Sequence, residues 1–303
     1  MSARLRDDGL SEVVGFVLLL GVIVVALSLY QVYGVPAVGR ENEIAHMNQV
    51  KDRFVDYKIS LDSLWLSEKK GVLLSTAFDL GTGAPATAGT VFSLPILTPA
   101  GSGGAVSVQS GGARLVITAQ DGDEIPVLDL PLGSLTYESS NHYWVDQTWT
   151  YQGGAIFLSQ EEGTTVRVGP SIAVAKREDG DITLTVAPIR LEGSGTIAGS
   201  GPVRIETRMR WSDTPSTRAY DRVNLTVETD DDPVMARAWK RAFDDVRARA
   251  GDEDVTSLPA PEVLDGNKAR LTIKPEDDGN RVLLTVYPSN YTVTIHGAAS
   301  LME

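Results

Sequence analysis

The sequence of 303 residues contains no cysteine and only three histidines. Without cysteine the chain can form no disulfide bond and offers no thiolate ligand to a metal. The histidines stand at positions 46, 142 and 296, and none has a second ligand at the short spacing that zinc sites use. These absences exclude disulfide-stapled scaffolds and zinc-finger modules, and we predict no metal site.

Basic residues are scarce as well. Lys and Arg number 27 against 40 Asp and Glu, which gives a net charge of -13 and an isoelectric point near 4.7. Proteins that bind nucleic acid present a basic face to the phosphates, so this charge argues against such a partner. An acid excess keeps a protein solvated and is consistent with a saline habitat.

Catalytic motifs are missing too. The sequence has no phosphate-binding glycine loop, no serine nucleophile elbow, no dinucleotide-binding glycine motif and no zinc motif. The acidic runs indicate solvated surface. Residues 121–124 lack the rest of a calcium loop, and a weak cation site is kept only as an alternative. We therefore predict no enzymatic activity and no cofactor, and an anchored hydrolase is the least supported hypothesis.

One long apolar run dominates what is present. From Val13 to Tyr33 no residue is charged, and a helix of about 20 apolar residues is enough to cross the hydrocarbon core of a bilayer. Tyr30 and Tyr33 stand at its end, where aromatic rings favour the membrane interface. We predict a transmembrane helix over 10–39, loosened at Gly34 and Pro36, with the short N-terminus inside and the rest of the chain outside.

The apolar run is preceded directly by Asp8, Gly9, Leu10, Ser11 and Glu12. This segment resembles the class III signal of archaeal type IV pilins and related surface proteins, in which a peptidase cuts after a glycine that follows a charged residue. The charged residue here is acidic, where it is often basic. The resemblance implies a cleaved leader (1–9), a mature chain that begins at Leu10, and an archaeal source.

The same resemblance implies partners: a membrane, a prepilin-peptidase-like processing enzyme and other pilin-like subunits. The apolar helix would then stay in the mature protein as anchor and filament core. Two alternatives remain open. The helix is an uncleaved signal anchor, or it belongs to an ordinary signal peptide that is cut after the small residues 37–39.

Helical periodicity continues over 40–70. Apolar residues recur every three or four positions and form one stripe. We expect the stripe to pack on the protein's own sheet, with a coiled-coil seam as the alternative. The stripe consists of Ile44, Met47, Val50, Phe54, Tyr57, Leu61 and Leu64, and the face assigned to solvent carries Glu41, Glu43, Gln49, Lys51, Asp52, Asp56 and Lys58.

Short strands separated by glycine-rich turns follow, which predicts an antiparallel β domain over 71–200. The predicted strands are 72–79, 90–94, 105–109, 114–120, 124–130, 133–137, 149–151, 155–159, 164–168, 171–176 and 181–189. An Asp-Gly hairpin is predicted at 177–181.

A C-terminal ββαβββ part is predicted over 201–303 as a layer beside the first sheet. Its strands are 203–211, 221–228, 269–274, 281–287 and 291–296, with a hairpin at 277–280. Its helix has Asp232 as N-cap and Pro233 as its first residue, and it ends at Gly251. The fold class is thus α+β, with the N-terminal helices carried on a largely antiparallel β region.

Four segments of this region are similar to the outer domain of archaeal pilin-like surface proteins, most of which are uncharacterised. They are Gly-Ser-Leu-Thr-Tyr at 133–137, Tyr-Gln-Gly-Gly-Ala-Ile-Phe at 151–157, Val-Asn-Leu-Thr-Val at 223–227 and Arg-Ala-Trp-Lys-Arg-Ala-Phe at 237–243. The similarity implies exposure at the cell surface and no particular activity.

Two kinds of site residue remain. His142, Tyr143, Trp144 and Trp149 mark an aromatic segment that either binds a glycan or a neighbouring subunit, or folds over its own core. Asn224 and Asn290 each begin an Asn-X-Thr sequon, which is usable only if the Asn faces solvent.

The leading hypothesis is a type IV pilin-like subunit or pilin-like surface protein, held in the membrane as a single pass and displayed outside. A minor pilus component that acts in adhesion or surface assembly fits its size. The alternative is a monomeric, membrane-anchored module that binds a glycan or surface partner.

Overall fold

The computed structural model describes residues 5–66, 71–82, 97–212, 215–253, 255, 258–277 and 279–297. For residues 5–11, 211 and 212 it describes the backbone alone. The predicted strand over 90–94 lies outside the described residues.

The N-terminal helices form one continuous rod. Helix α1 (Leu5–Leu29) passes through a single π-helical turn (Tyr30–Gly34) into helix α2 (Val35–Leu66). In the wide turn the Val35 N–H donates to the Tyr30 carbonyl, five residues earlier. A proline within a helix has no N–H to donate and its ring crowds the preceding turn, so the disturbance predicted at Gly34 and Pro36 takes the form of this wide turn.

The described residues beyond α2 contain nineteen strands and one more helix, α3 (Pro233–Asp252). The strands are β1 (Leu73–Asp79), β2 (Gly103–Gln109), β3 (Ala113–Asp121), β4 (Asp123–Pro131), β5 (Ser134–Ser140), β6 (Thr148–Gln152), β7 (Ala155–Gln160), β8 (Gly163–Val168), β9 (Ile172–Lys176), β10 (Ile182–Val186), β11 (Ile189–Glu192), β12 (Ser194–Gly199), β13 (Pro202–Ser212), β14 (Thr217–Tyr220), β15 (Arg222–Thr229), β16 (Glu262–Leu264), β17 (Lys268–Ile273), β18 (Val282–Val286) and β19 (Ser289–Gly297). The predicted α+β class is confirmed.

Four sheets are formed by these strands. Sheet 1 has the order β1-β13-β19-β11, sheet 2 β14-β18-β10-β9, sheet 3 β12-β2-β5-β6-β7-β8, and sheet 4 β16-β17-β15-β3-β4. Neighbouring strands are antiparallel except in two pairs, β10 with β18 and β11 with β19.

The two parallel pairs arise because two chain segments change sheets side by side. Strand β10 in sheet 2 leads through Ala187 and Pro188 to β11 in sheet 1, and β18 leads through Tyr287 and Pro288 to β19 in the same way. A proline cannot donate to a sheet ladder, so each strand stops there. The single strand predicted over 181–189 is therefore two strands in different sheets.

The two predicted hairpins have different outcomes. The one at 177–181 is confirmed: β9 and β10 pair antiparallel, and Gly180 has a φ of 91° in the turn between them. The one predicted at 277–280 is wrong, because β17 lies in sheet 4 whereas β18 lies in sheet 2. The turn connects two sheets.

The division predicted at residue 200 does not separate the sheets. Sheets 1, 2 and 4 each contain strands from both sides of that position, whereas sheet 3 uses strands before it. The predicted ββαβββ part is consequently not a layer of its own. In sheet 1 its strands β13 and β19 lie between β1 and β11, whereas in sheets 2 and 4 its strands stand together and pair with β10 and β3 of the preceding part. Three short strands, β12, β14 and β16, were not predicted.

Helix α2 packs its apolar stripe into one of two hydrophobic cores, as predicted. Phe54 and Leu61 are fully buried and lie against residues of sheets 1 and 3. The second core holds α3 against strands of sheets 2, 3 and 4, and Trp239 and Phe243 are buried in it. The Asp232 carboxylate caps α3 by accepting from the Val234 and Met235 N–H groups, both at 2.9 Å, which confirms the predicted helix start.

Candidate functional site at the base of helix α2

The long helix has one bare half and one embedded half. Every side chain from residue 12 to residue 33 is exposed, and the first buried residues are Val35 and Gly39. The helix Glu12–Leu66 contains a window that is long and apolar enough for a membrane span or a signal sequence, and none of that window is buried. The β region therefore begins directly where the apolar stretch ends.

The residues predicted for leader processing lie in the first turns of this helix. Asp8, Gly9, Leu10 and Ser11 belong to α1, which begins at Leu5, and Glu12 is exposed. A cut after Gly9 would remove the start of α1 and leave the apolar stretch intact.

The loop between β5 and β6 packs against α2 near its start, where the exposed half of the long helix ends. We call residues 141–147 the collar loop. The Glu43 carboxylate is 1% exposed and accepts from the backbone N–H groups of His142 at 2.7 Å and Tyr143 at 2.8 Å, one through each oxygen. A carboxylate that accepts from two backbone amides makes strong, charge-assisted hydrogen bonds. Glu43 thereby fastens the collar loop to the helix.

Two aromatic side chains of the collar loop complete the grip. The Tyr143 ring lies so close to Gly39 that a Cβ there would overlap it, and its hydroxyl accepts from the Ala100 N–H at 3.0 Å. The Arg40 guanidinium stacks over the Trp144 ring, with its carbon 4.5 Å from the ring centroid. Such a cation–π contact stabilises by roughly 0.5–1 kcal/mol at an exposed site.

The collar loop is also held in shape from within. The Asn141 N–H donates to the Asp146 carboxylate at 2.7 Å, and the Asn141 side chain donates to the Val145 carbonyl at 3.0 Å. The Gln147 N–H donates to the Ser139 hydroxyl at 2.7 Å. The loop can therefore present its amides to Glu43 without large rearrangement.

Trp149, the fourth residue of the predicted aromatic segment, lies apart from the other three. It belongs to β6, is 2% exposed, and stacks on Phe54 of α2 with ring centroids 6.3 Å apart. Its indole N–H donates to the Gln147 side chain at 3.0 Å. The structure thus places Trp149 in the core, Tyr143 and Trp144 half-buried against α2, and His142 exposed.

His46 lies one turn above Glu43 and is 5% exposed. Its Nε2 is 2.9 Å from the Asp79 carbonyl, which can only accept, so Nε2 carries the proton. Nδ1 has no hydrogen-bond partner among the described residues. His296 instead lies 3.3 Å from the Glu206 carboxylate in sheet 1. Within the described residues no three His, Asp or Glu side chains converge as a metal site would require.

A second polar contact ties the upper part of α2 to the β region. The Lys58 ammonium donates to the Asp62 carboxylate at 2.8 Å and to the Ser171 hydroxyl at 3.0 Å. The Trp65 indole N–H also reaches Asp62, at 3.3 Å. Lys58 is 8% exposed and the Asp62 side chain is 24% exposed, so this ion pair is partly desolvated, and it ties the helix to the segment before β9.

Four tyrosine hydroxyls are buried around α2. Tyr57 contacts the Thr207 hydroxyl at 2.9 Å, and Tyr291 donates to the Leu61 carbonyl at 3.0 Å. Burial raises the pKa of Tyr291 to about 12. Burial also raises the pKa values of Tyr57, Tyr137 and Tyr151 well above that of a free tyrosine. All four are therefore uncharged at neutral pH.

Sequence reasoning assigned Glu43 and Lys58 to the solvent face of the helix, and both are buried. Their charge suggested exposure, but their position already indicated otherwise. Glu43 stands four residues before Met47, and Lys58 stands four after Phe54 and three before Leu61, so both lie on the apolar stripe. A charged residue at a position that continues an apolar stripe indicates burial, and both Glu43 and Lys58 stand at such positions.

The two sequons lie in different surroundings. Asn224 on β15 is half-buried and hydrogen-bonded to Thr118 and Thr272. Asn290 on β19 is 4% exposed, and its Oδ1 has no hydrogen-bond partner within the part of the chain that the structure describes. The condition set from the sequence, a solvent-facing Asn, is not met at Asn290.

Comparison with known proteins gives one match. The sequence model of a family of unknown function, DUF7289, matches residues 100–276, which include β2 to β17 and α3 but not the long N-terminal helix. No curated protein and no solved structure matches the chain. Since the match covers more than half of the sequence, the chain belongs to the DUF7289 family.

Proposed function

We propose that this protein is a type IV pilin-like subunit or pilin-like cell-surface protein of archaeal type, held in the membrane by its N-terminal helix and displayed outside. The observation that carries the proposal is the single helix Glu12–Leu66, bare in its first half and built into the core in its second. This layout, an apolar helix that continues into a helix packed on a β domain, resembles that of type IV pilins.

The dimensions of the helix agree with this role. At 1.5 Å per residue, the uncharged stretch from Val13 to Tyr33 is about 32 Å long, close to the thickness of a hydrocarbon core of roughly 30 Å. Helix α2 adds about 48 Å beyond it. The β region would then sit directly on the outer surface of the membrane, with the collar loop at the level of the headgroups.

Assembly would use the bare half of the helix. Gly15 and Gly21 have no described atom within 4 Å of the place where a Cβ would stand, so the helix surface is open at both positions. Small residues let the backbones of neighbouring helices approach closely in a membrane. A chain of 32.5 kDa fits a minor or tip subunit better than the bulk pilin, in adhesion or surface assembly.

The alternative, a monomeric glycan-binding module, gains no support from the collar loop. The loop's amides, Tyr143 and Trp144 are engaged with α2, and Trp149 is in the core. A free binding face would leave these aromatic rings available. The anchored pilin-like subunit therefore remains the function that the geometry supports best.

The decisive experiment is the N-terminal sequence of the full chain extracted from membranes. It should begin at Leu10. Gly9→Leu should block maturation and leave Met1 in place, whereas Gly15→Leu, a matched change inside the apolar stretch, should mature normally. An intact Met1 in the unaltered protein would exclude pilin-like processing.

A second measurement separates the filament subunit from a simple anchor. Surface filaments are sheared from cells, and the protein is quantified in the filaments and in the membranes. A filament subunit is enriched in the sheared fraction, and Gly9→Leu abolishes that enrichment. Retention of the processed protein in membranes alone would favour a non-filament surface protein.

A further inference from the structure

The outer face of sheet 4 is a polar surface. Along β15 the side chains of Val223, Leu225 and Val227 point into the core and are fully buried, together with α3 residues. Successive residues of a strand point to opposite faces, so Asn224 and Thr226 lie on the face away from α3. Asn224 is half-buried there, and Thr226 is 6% exposed, with its hydroxyl accepting from the Arg270 guanidinium at 3.2 Å. Asn224 stands in the middle of this face, because β15 is the central strand of the five.

Small hydroxylated residues flank Asn224 on both sides. Its partners in register are Thr272 on β17 and Thr118 on β3. The Thr272 hydroxyl donates to the Asn224 Oδ1 at 2.9 Å, and the Asn224 Nδ2 donates to the Thr118 hydroxyl at 3.4 Å. One of the two Nδ2 protons thus has no partner among the described residues, and no long side chain stands opposite the amide.

We infer that Asn224 carries an N-linked glycan and that Asn290 does not. This rests on the proposed function, since it requires the β region to face the compartment in which sugars are transferred. Asn224, Leu225 and Thr226 form the acceptor sequon. The substrate class is an oligosaccharide linked to a polyprenyl phosphate carrier.

The transfer to Asn224 replaces a sugar–phosphate bond with a sugar–amide bond. The Asn224 Nδ2 forms a bond to the anomeric carbon of the sugar, the bond from that carbon to the carrier phosphate breaks, and one amide proton is released. The remaining N–H can still donate to Thr118, and Oδ1 can still accept from Thr272. Because Asn224 is in mid-strand, transfer precedes folding, and the finished sheet has to accommodate the product.

Asn290 fails this requirement. It is 4% exposed, lies on β19 between β13 and β11, and stands in register with Arg190. A sugar attached to its Nδ2 would have no path to solvent, and a chain modified there could not close sheet 1. The folded protein therefore carries Asn290 unmodified although the sequon is intact.

The test is glycopeptide mass spectrometry of the full chain, purified from membranes of a host with N-glycosylation. One glycan is expected at Asn224. It should be lost in Asn224→Gln and Thr226→Ala, and kept in Asn290→Gln and Thr226→Ser. A reference sequon is supplied by Glu162→Asn, at an exposed position of the turn between β7 and β8, with Thr164 of β8 as its threonine.

The reference sequon at position 162 distinguishes failure of the glycan site at Asn224 from failure of the proposed outward display. Modification at the reference position with none at Asn224 overturns the glycan site and leaves the outward display intact. Modification at neither position overturns both. A glycan at Asn290 in folded protein overturns the burial argument, and a glycan at Asn224 that disappears with the two predicted losses confirms the site.

Discussion

Replacing Glu43 with glutamine tests whether the collar loop is fastened to helix α2 by this carboxylate. Hydrogen bonds to a charged group contribute roughly 1.5–3 kcal/mol each, and a buried donor without an acceptor costs roughly 1–3 kcal/mol. Glutamine keeps one acceptor oxygen and turns an amide N–H₂ toward the other backbone N–H, so one bond is lost and two donors face each other. We expect Glu43→Gln to lower the free energy of unfolding by about 3 kcal/mol.

The assay is equilibrium unfolding of the full chain in detergent, followed by hydrogen exchange at the amides of His142 and Tyr143. Glu41→Gln is the matched control, because Glu41 is exposed on the same turn of helix and should change stability by less than about 0.5 kcal/mol. The two amides should exchange faster in Glu43→Gln and at the normal rate in Glu41→Gln. Equal stability of the two variants, with unchanged exchange, would refute the role assigned to Glu43.

Two further predictions concern Gly39 of α2 and Tyr291 of β19, whose hydroxyl donates to the Leu61 carbonyl of α2. Gly39→Ala should destabilise by about 1–3 kcal/mol because its Cβ would overlap the Tyr143 ring, whereas Gly15→Ala meets nothing and should be neutral; equal melting temperatures of the two variants would contradict this. Burial raises the pKa of Tyr291 from 10.0 in the free residue to about 12, so the folded state favours the neutral form. Its contribution is complete below pH 10 and is lost as pH rises from 10 to 12. The decline in the unfolding midpoint between pH 10 and 12 should be shallower in Tyr291→Phe, and an unchanged decline would show that Tyr291 does not contribute.

The parts that the sequence predicts well depend on repeated local pattern. The stripe from Met47 to Leu64 repeats at helical spacing over five turns, so an error at one residue does not move the face that packs. Helix α3 has a capping Asp, a proline at its first position and an apolar face, and these agree with one another. Both helices are accordingly found where they were expected.

The failures depend on contacts between distant parts of the chain. Asp-Gly turns predict hairpins at 177–181 and 277–280 equally, yet the second joins two sheets, since β18 finds its partners in β10 and β14. The buried carboxylate of Glu43 is satisfied by amides about a hundred residues later. The residues next to Glu43 in the sequence give no indication of these two amides.

One repeat did carry tertiary information that a local reading passes over. Leu-Thr-Val-Ala-Pro at 184–188 and Leu-Thr-Val-Tyr-Pro at 284–288 share a pattern, and in the structure they run parallel as the two crossings from sheet 2 to sheet 1. The Tyr287 N–H donates to the Val186 carbonyl at 2.8 Å, and the Ser289 N–H donates to the Pro188 carbonyl at 3.1 Å. The shared proline is the signal, because it ends both strands at the same level and lets both chains turn together.

These crossings bear on how the long N-terminal helix is joined to the β region. They join sheets 1 and 2 by two adjacent chains, and α2 lies in the core that sheet 1 shares with sheet 3. Burying a large apolar side chain stabilises by roughly 1.5–3 kcal/mol, and α2 contributes six to that core: Met47, Val50, Phe54, Tyr57, Leu61 and Leu64. Their sum is on the order of 10 kcal/mol, comparable to the whole stability of a domain. The helix therefore cannot swing away as a tether would without opening the core, so the orientation of α2 fixes that of the β region. Such a fixed joint suits a subunit whose packing through its helices also arranges its outer surface.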